Sequence, residues 1–112
     1  MHIDSYEFGT IVIDGRTYRT DLLIWPARIK SDWWRSESHL LQIPDVFEAL
    51  AADIQVMVVG TGAYGRMAVA PELIAYLKEK GIDLVARPSG EAGRIINQMG
   101  HGRWAAALHL TC

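Results

Sequence analysis

The sequence predicts an α/β fold: a compact single domain over residues 1–112, with a central mixed sheet, a βαβαβ C-terminal half and an N-terminal antiparallel β-hairpin packed alongside. Three observations carry that prediction. Val56 to Val59 is an apolar run without alternation, as expected of a strand covered on both faces. From there to the C-terminus, strand-like and helix-like runs alternate, which implies parallel pairing with right-handed crossovers. Near the N-terminus, Asp14-Gly15 separates two alternating β-rich runs, a strong hairpin signal.

The elements follow in order. Phe8 to Ile13 and Arg16 to Thr20 form the hairpin. Leu22 to Trp25 is a third short strand, stopped by Pro26. Ala27 to Leu41 has no clean period and is dense in charge and aromatics. Pro44 suits a helix N1 position, so Asp45 to Ala52 reads as a short helix. After the strand at Val56, Pro71 opens a helix to Lys80, with Lys78 and Lys80 in its last turn and Gly81 capping it. Asp83 to Ala86 is the next strand. Ser89 is a natural N-cap for a helix from Gly90 to about Met99, with Glu91 in its first turn. Trp104 to Leu110 is the final strand.

Composition narrows the function. The chain has 112 residues, half of them apolar. A domain of that size buries roughly two-thirds of its unfolded surface, so it needs neither disulfide nor metal to fold. A net charge of -2 gives no electrostatic footprint for nucleic acid or an anionic membrane. No apolar run approaches the roughly 18 residues of a membrane span. The N-terminal residues lack the features of a secretion or transit signal, so the expected compartment is the cytoplasm. The one cysteine, Cys112, excludes an internal disulfide, and the four histidines show no zinc spacing.

Gly60, Gly62 and Gly65 spell G-x-G-x-x-G after a strand, which invites a dinucleotide reading. Two features oppose it. The helix begins only at Pro71, well past the glycines, and no acid stands at the end of the next strand to meet a ribose. No P-loop lysine follows either. No cofactor is therefore expected. Two readings of the loop remain. The glycines permit a sharp exit from a buried strand. Alternatively, Gly60, Thr61 and Gly62 offer amides and a hydroxyl to a crevice, with Arg66 or Arg35 holding a small anion or carboxylate.

The second notable cluster is Trp25-Pro26 with Ser31-Asp32-Trp33-Trp34-Arg35. One or both indoles of Trp33 and Trp34 can cover the core. Alternatively Trp33, Trp34 and Arg35 form a partner-binding surface, since Trp and Arg are enriched at interaction hot spots. An Asp32–Arg35 pair is a third reading, one that pins the loop. His109 lies on an apolar strand and reads first as a satisfied core or edge histidine, second as a catalyst; Cys112, three positions away, reads first as incidental and second as a thiol nucleophile beside it. No nucleophile with its base is evident.

The residues Trp25-Pro26, Trp34-Arg35, Val58-Val59-Gly60-Thr61-Gly62, Pro71-Glu72-Leu73, Gly81-Ile82, Asn97 and the Ala106-to-Cys112 tail resemble a known family. It is the small uncharacterised-domain family that includes the adipogenesis-associated MTH-domain protein and the mitochondrial NADH dehydrogenase (complex I) assembly factor 3. The resemblance implies a compact α/β domain with no established activity or cofactor. It marks Gly60, Thr61 and Gly62 as first site candidates and Trp34 and Arg35 as next. The mitochondrial member works through protein partners. The resulting expectation is a non-catalytic binding or assembly-factor-like domain, monomer or homodimer, with another protein as partner. The alternative is a small-molecule binder or enzyme centred on Gly60 to Arg66.

Overall fold

The computed structural model describes residues 1–112. A three-stranded antiparallel sheet comes first, from β1 (Ile3–Glu7), β2 (Thr10–Ile13) and β3 (Arg16–Tyr18). Asp14 and Gly15 both take positive φ, 50° and 78°, the twist that a two-residue hairpin turn requires. β4 (Leu22–Trp25) and β5 (Arg28–Lys30) form a second hairpin, around Pro26 and Ala27. β6 (Leu40–Leu41) precedes a 3₁₀ turn over Ile43–Val46, which runs into α1 (Phe47–Leu50). Then come β7 (Val56–Thr61), β8 (Ala68–Val69), α2 (Pro71–Glu79), β9 (Asp83–Arg87), α3 (Ser89–Met99) and β10 (Trp104–His109).

The central sheet has five strands in the order β5-β4-β10-β7-β9. β10, β7 and β9 are parallel, and β4 and β5 join antiparallel, so the sheet is mixed as expected. Its two faces bury separate cores. Met57 and Val59 of β7 face Leu73 and Leu77 of α2, with Trp33 and Leu41. Val58 faces the other way, toward Ala92 and Ile96 of α3 and toward Ile11 and Ile13 of the N-terminal sheet. Each fully buried Leu or Ile here contributes about 1.5–3 kcal/mol. Burial on both faces explains why β7 reads as an unbroken apolar run.

α3 packs on the same face of the central sheet as the N-terminal sheet, beside β1. Asn97 ties it to β1, donating from Nδ2 to the Ile3 carbonyl at 2.9 Å and accepting the Ile3 N–H at 2.7 Å. Ile3 also packs against Gly93, its Cγ2 3.5 Å from where a Cβ would stand, an ordinary van der Waals separation.

Several boundaries differ from expectation. β1 was not anticipated because its burial alternates irregularly, with only Ile3 buried. β5 escaped notice because Arg28-Ile29-Lys30 is too short and charged to show a period. The helix expected over Asp45 to Ala52 is a 3₁₀ turn followed by one α turn. Asp45 accepts the Gln42 N–H at 2.8 Å and so starts the turn earlier. Ser89 does not cap α3; the helix includes it, and its hydroxyl turns inward to the central sheet.

Gly60 fits that inward serine. A Cβ there would stand 2.6 Å from Leu108 Cδ2 and 2.9 Å from Ser89 Oγ. Leu108 is fully buried and cannot give way. Gly60→Ala is therefore expected to cost about 1–3 kcal/mol by overpacking, read as a fall of at least about 4 °C in Tm. An unchanged thermal midpoint would contradict this packing.

Candidate functional site

In a sheet ordered β10-β7-β9, the connections reverse direction between β7 and β10. Crevices for ligands form at such reversals, outside the carboxyl ends of the strands. Gly60 and Thr61 end β7 here, beside His109 at the end of β10, and Gly62 follows them. The chain itself occupies the place. Ser89 Oγ accepts the Gly62 N–H at 2.9 Å and donates to the His109 carbonyl. The Gly62 carbonyl accepts the Ser89 N–H at 3.0 Å. Gly62 takes φ 101°, and a Cβ on it would stand 2.6 Å from the Thr111 carbonyl oxygen. Ala63 N–H donates to that same oxygen at 2.9 Å, and Met67 N–H donates to the Thr61 carbonyl at 3.0 Å. The glycine-loop amides of Gly62, Ala63 and Met67 are thus spent on the protein's own backbone and on Ser89.

The candidate ligand residues are not brought together as one group. Thr61 is buried. Arg66 is exposed, with its guanidinium carbon 5.9 Å from the Tyr64 ring. Arg35 belongs to a different assembly on the far side of β10, built around Asp21.

Asp21 sits just before β4, and its carboxylate gathers three donors. Arg35 Nη1 approaches Oδ2 at 2.7 Å, His109 Nδ1 approaches Oδ2 at 2.8 Å, and the Leu110 N–H donates to Oδ1 at 2.8 Å. Its backbone carbonyl accepts the Trp33 N–H at 3.0 Å. Arg35 also donates from Nη2 to the Ser38 carbonyl at 2.9 Å and lies over the Trp33 ring at 4.8 Å. A carboxylate can only accept, so the hydrogen bond to Asp21 puts a proton on Nδ1 of His109. His109 Nε2 and Arg35 Nε are both buried without a partner. Asp21, Arg35, His39, His109, Thr111 and Cys112 line an open cavity of about 400 Å³ beside them.

The Asp32–Arg35 pair is not formed. Asp32 takes a positive φ of 55°, and its N–H donates to Thr20 Oγ1 at 2.8 Å, while Arg35 turns to Asp21. The two indoles divide. Trp33 is buried and donates from Nε1 to the Asp45 carbonyl at 2.8 Å; Trp34 is 81 % exposed. Trp34 lies on a groove that also includes Lys30, Asp32, Asp45, Phe47 and Glu48.

Asp21 escaped the sequence reading because its partners lie 14 and 88 residues away. One signal did exist: an acid placed directly before the fully apolar run Leu22 to Trp25, where a carboxylate needs a partner.

Fold and site together define a small α/β domain with a self-filled crevice and a partly buried charged cluster around Asp21. The chain belongs to the family described as protein of unknown function (DUF498/DUF598), whose profile matches residues 3–109. It is similar to a conserved hypothetical protein from Pyrococcus horikoshii OT3, 29 % identical over 100 % of both chains, TM-score 0.88. A protein from Rhodopseudomonas palustris is 28 % identical over 95 % of this chain and 80 % of that one, TM-score 0.75. A Mth938-like domain from Bordetella pertussis shares the fold at 18 % identity, over 97 % and 85 % of the two chains, with TM-score 0.68. The resemblance read from the sequence holds at the level of this family. No helix is long and apolar enough to cross a membrane.

Burial pushes the Asp21 carboxyl up, but the Leu110 N–H, His109 and Arg35 outweigh it and hold the group below its ordinary value of 3.8. A depressed folded value means the charged cluster stabilises fully above about pH 3.8 and loses that contribution as pH falls through the lower folded value. Asp21→Asn is expected to cost roughly 3 kcal/mol at neutral pH, because Arg35 is left buried without its counter-charge. The gap between variant and wild type should close as the pH falls below 3.8. Urea unfolding from neutral pH to acid checks this; a pH-independent gap would remove the charge from the explanation.

Proposed function

We propose that this chain is a non-catalytic binding domain, assembly-factor-like, that docks another protein through the face around Trp34. One observation carries the reading: Trp34 is 81 % exposed on a segment that is held on both sides. Trp33 is fixed by Asp45 and Asp21, and Arg35 by Asp21 and Ser38. A rigid, exposed indole loses little entropy on contact, which suits a hot spot. Phe47, exposed on the same groove, supplies a second apolar contact. Trp33 and Arg35 act as supports beneath the contact face. The assembly-factor member among the proteins this sequence resembles points the same way, since that protein works through partners.

A second reading has its own observation. The unpartnered His109 Nε2 and Arg35 Nε lie beside the cavity with Thr111 and Cys112. A small polar ligand that displaces the side chains covering them would give both groups a partner. This moves the small-molecule alternative from Gly60–Arg66 to the other side of β10, with Arg35 the residue common to both versions.

Trp34→Ala tests the leading reading. It should change stability by no more than about 0.5 kcal/mol, as surface substitutions do. A photo-crosslinking residue in place of Ser36, exposed on the same groove, should give one discrete adduct, competed by excess wild type and not by Trp34→Ala. Competition by both proteins alike would sink the docking face. The ligand reading is tested by a thermal-shift screen of small acids and nucleotides. A true ligand at 100 times its dissociation constant stabilises by about 2.7 kcal/mol.

A further inference from the structure

β9 is the last strand of the central sheet, and its outer edge is unpaired. The register with β7 decides which backbone groups face outward. Val56 pairs with Asp83 and Val58 with Val85, and the Asp83 N–H donates to the Gln55 carbonyl at 2.9 Å. Asp83, Val85 and Arg87 therefore point their backbone groups at β7. Leu84 and Ala86, between them, point theirs at solvent. Leu84, Val85 and Ala86 are half-buried side chains with no charge among them. Ile74 of α2 is 47 % exposed and lines the same shallow hollow as Leu84. An uncovered edge of this kind is a template for another strand.

The sequence of the edge selects the strand. Asp83-Leu84-Val85-Ala86-Arg87 is complementary to itself when run antiparallel about Val85. Leu84 then faces Ala86 of the second copy as a hydrogen-bonded pair, and Ala86 faces Leu84, giving four N–H···O bonds from the groups that are free. Val85 meets Val85 on the two-fold axis. Asp83 faces Arg87 of the second copy at both ends, in the close non-hydrogen-bonded pairs where opposite charges attract best. We infer that β9 is a self-pairing edge, joining two copies of this chain into a ten-stranded sheet with two-fold symmetry.

Two contacts of Arg87 are exchanged: an exposed ion pair with Glu91, Nε to Oε1 at 3.6 Å, and a bond to the strand itself. In the single chain Arg87 Nη1 donates to the Ala86 carbonyl at 2.8 Å, which covers one free edge acceptor. Pairing gives that carbonyl a Leu84 N–H and releases the guanidinium to Asp83 of the second copy. The charge pairs and the exposed Ile74 supply the driving force. The short edge, five residues, makes the dimer a reversible one.

Sedimentation across a concentration series tests this on the full chain. Wild type should associate reversibly to a dimer below about 1 mM, the weak end of the affinity scale. Asp83→Arg alone sets two cations against each other at both ends, and Arg87→Asp alone sets two acids; each should raise the dissociation constant at least tenfold. The double exchange, Asp83→Arg with Arg87→Asp, restores both pairs and should recover the wild-type value. Ala86→Pro removes an outward N–H without touching the ladder to β7 and should abolish association while leaving a folded monomer. A wild type that stays monomeric throughout overturns the inference. So does a dimer indifferent to the single exchanges and to Ala86→Pro, or a double exchange that fails to rescue.

Discussion

The carboxylate of Asp21 is the point from which the candidate surfaces are organised. It sits at the entry to β4 and reaches across to the end of β10, joining chain segments that are far apart in sequence. Three donors converge on it, from Arg35, His109 and the Leu110 N–H. The Asp21 carbonyl adds a fourth link, to Trp33. A partly buried carboxylate is costly unless paired, and here pairing recruits the irregular segment that carries the tryptophans. The segment from Asp32 to Ser38 has no secondary structure of its own; its shape comes from these bonds. Trp33 is consequently drawn into the core while its neighbour Trp34 is held out in solvent.

The other side of this same end of β10 works by different means. There the crevice between β7 and β10 is closed by Ser89 and by the Thr111 carbonyl, and glycine is required where those groups come near. Gly60 leaves room for Ser89 and Leu108; Gly62 adopts a left-handed conformation against the chain terminus. Both structures grip the last residues of β10. The loop that looks like a nucleotide cradle is therefore a closure, and the polar groups with unused capacity lie in the Asp21 cluster instead.

Much of the fold was legible because it rests on local chemistry. Asp14-Gly15 specifies its turn, Pro71 starts α2, and the unbroken apolar run of β7 announces a strand buried on both faces. The parts that were not legible depend on distant partners. β1 pairs through its backbone and is tied down by Asn97, so Ser5 and Glu7 show no core pattern. Ser89 has the chemistry of a cap, but the nearby Gly62 amide and His109 carbonyl compete successfully for its hydroxyl. Arg35 stands out as a candidate, but its partner does not: Asp32 is three residues away in sequence, while Asp21 is the acid at the right depth. The separation of Trp33 from Trp34 follows from the same bonds, which no spacing rule encodes.

Backbone amide hydrogen exchange in Asp21→Asn tests this central role most directly. If Asp21 organises the segment, the Trp33 amide and those of residues 34–39 should exchange at least tenfold faster than in wild type, relative to the core of α2 and β7. Equal protection of residues 33–39 in the two proteins, or a loss spread evenly through β7 and α2, would contradict it.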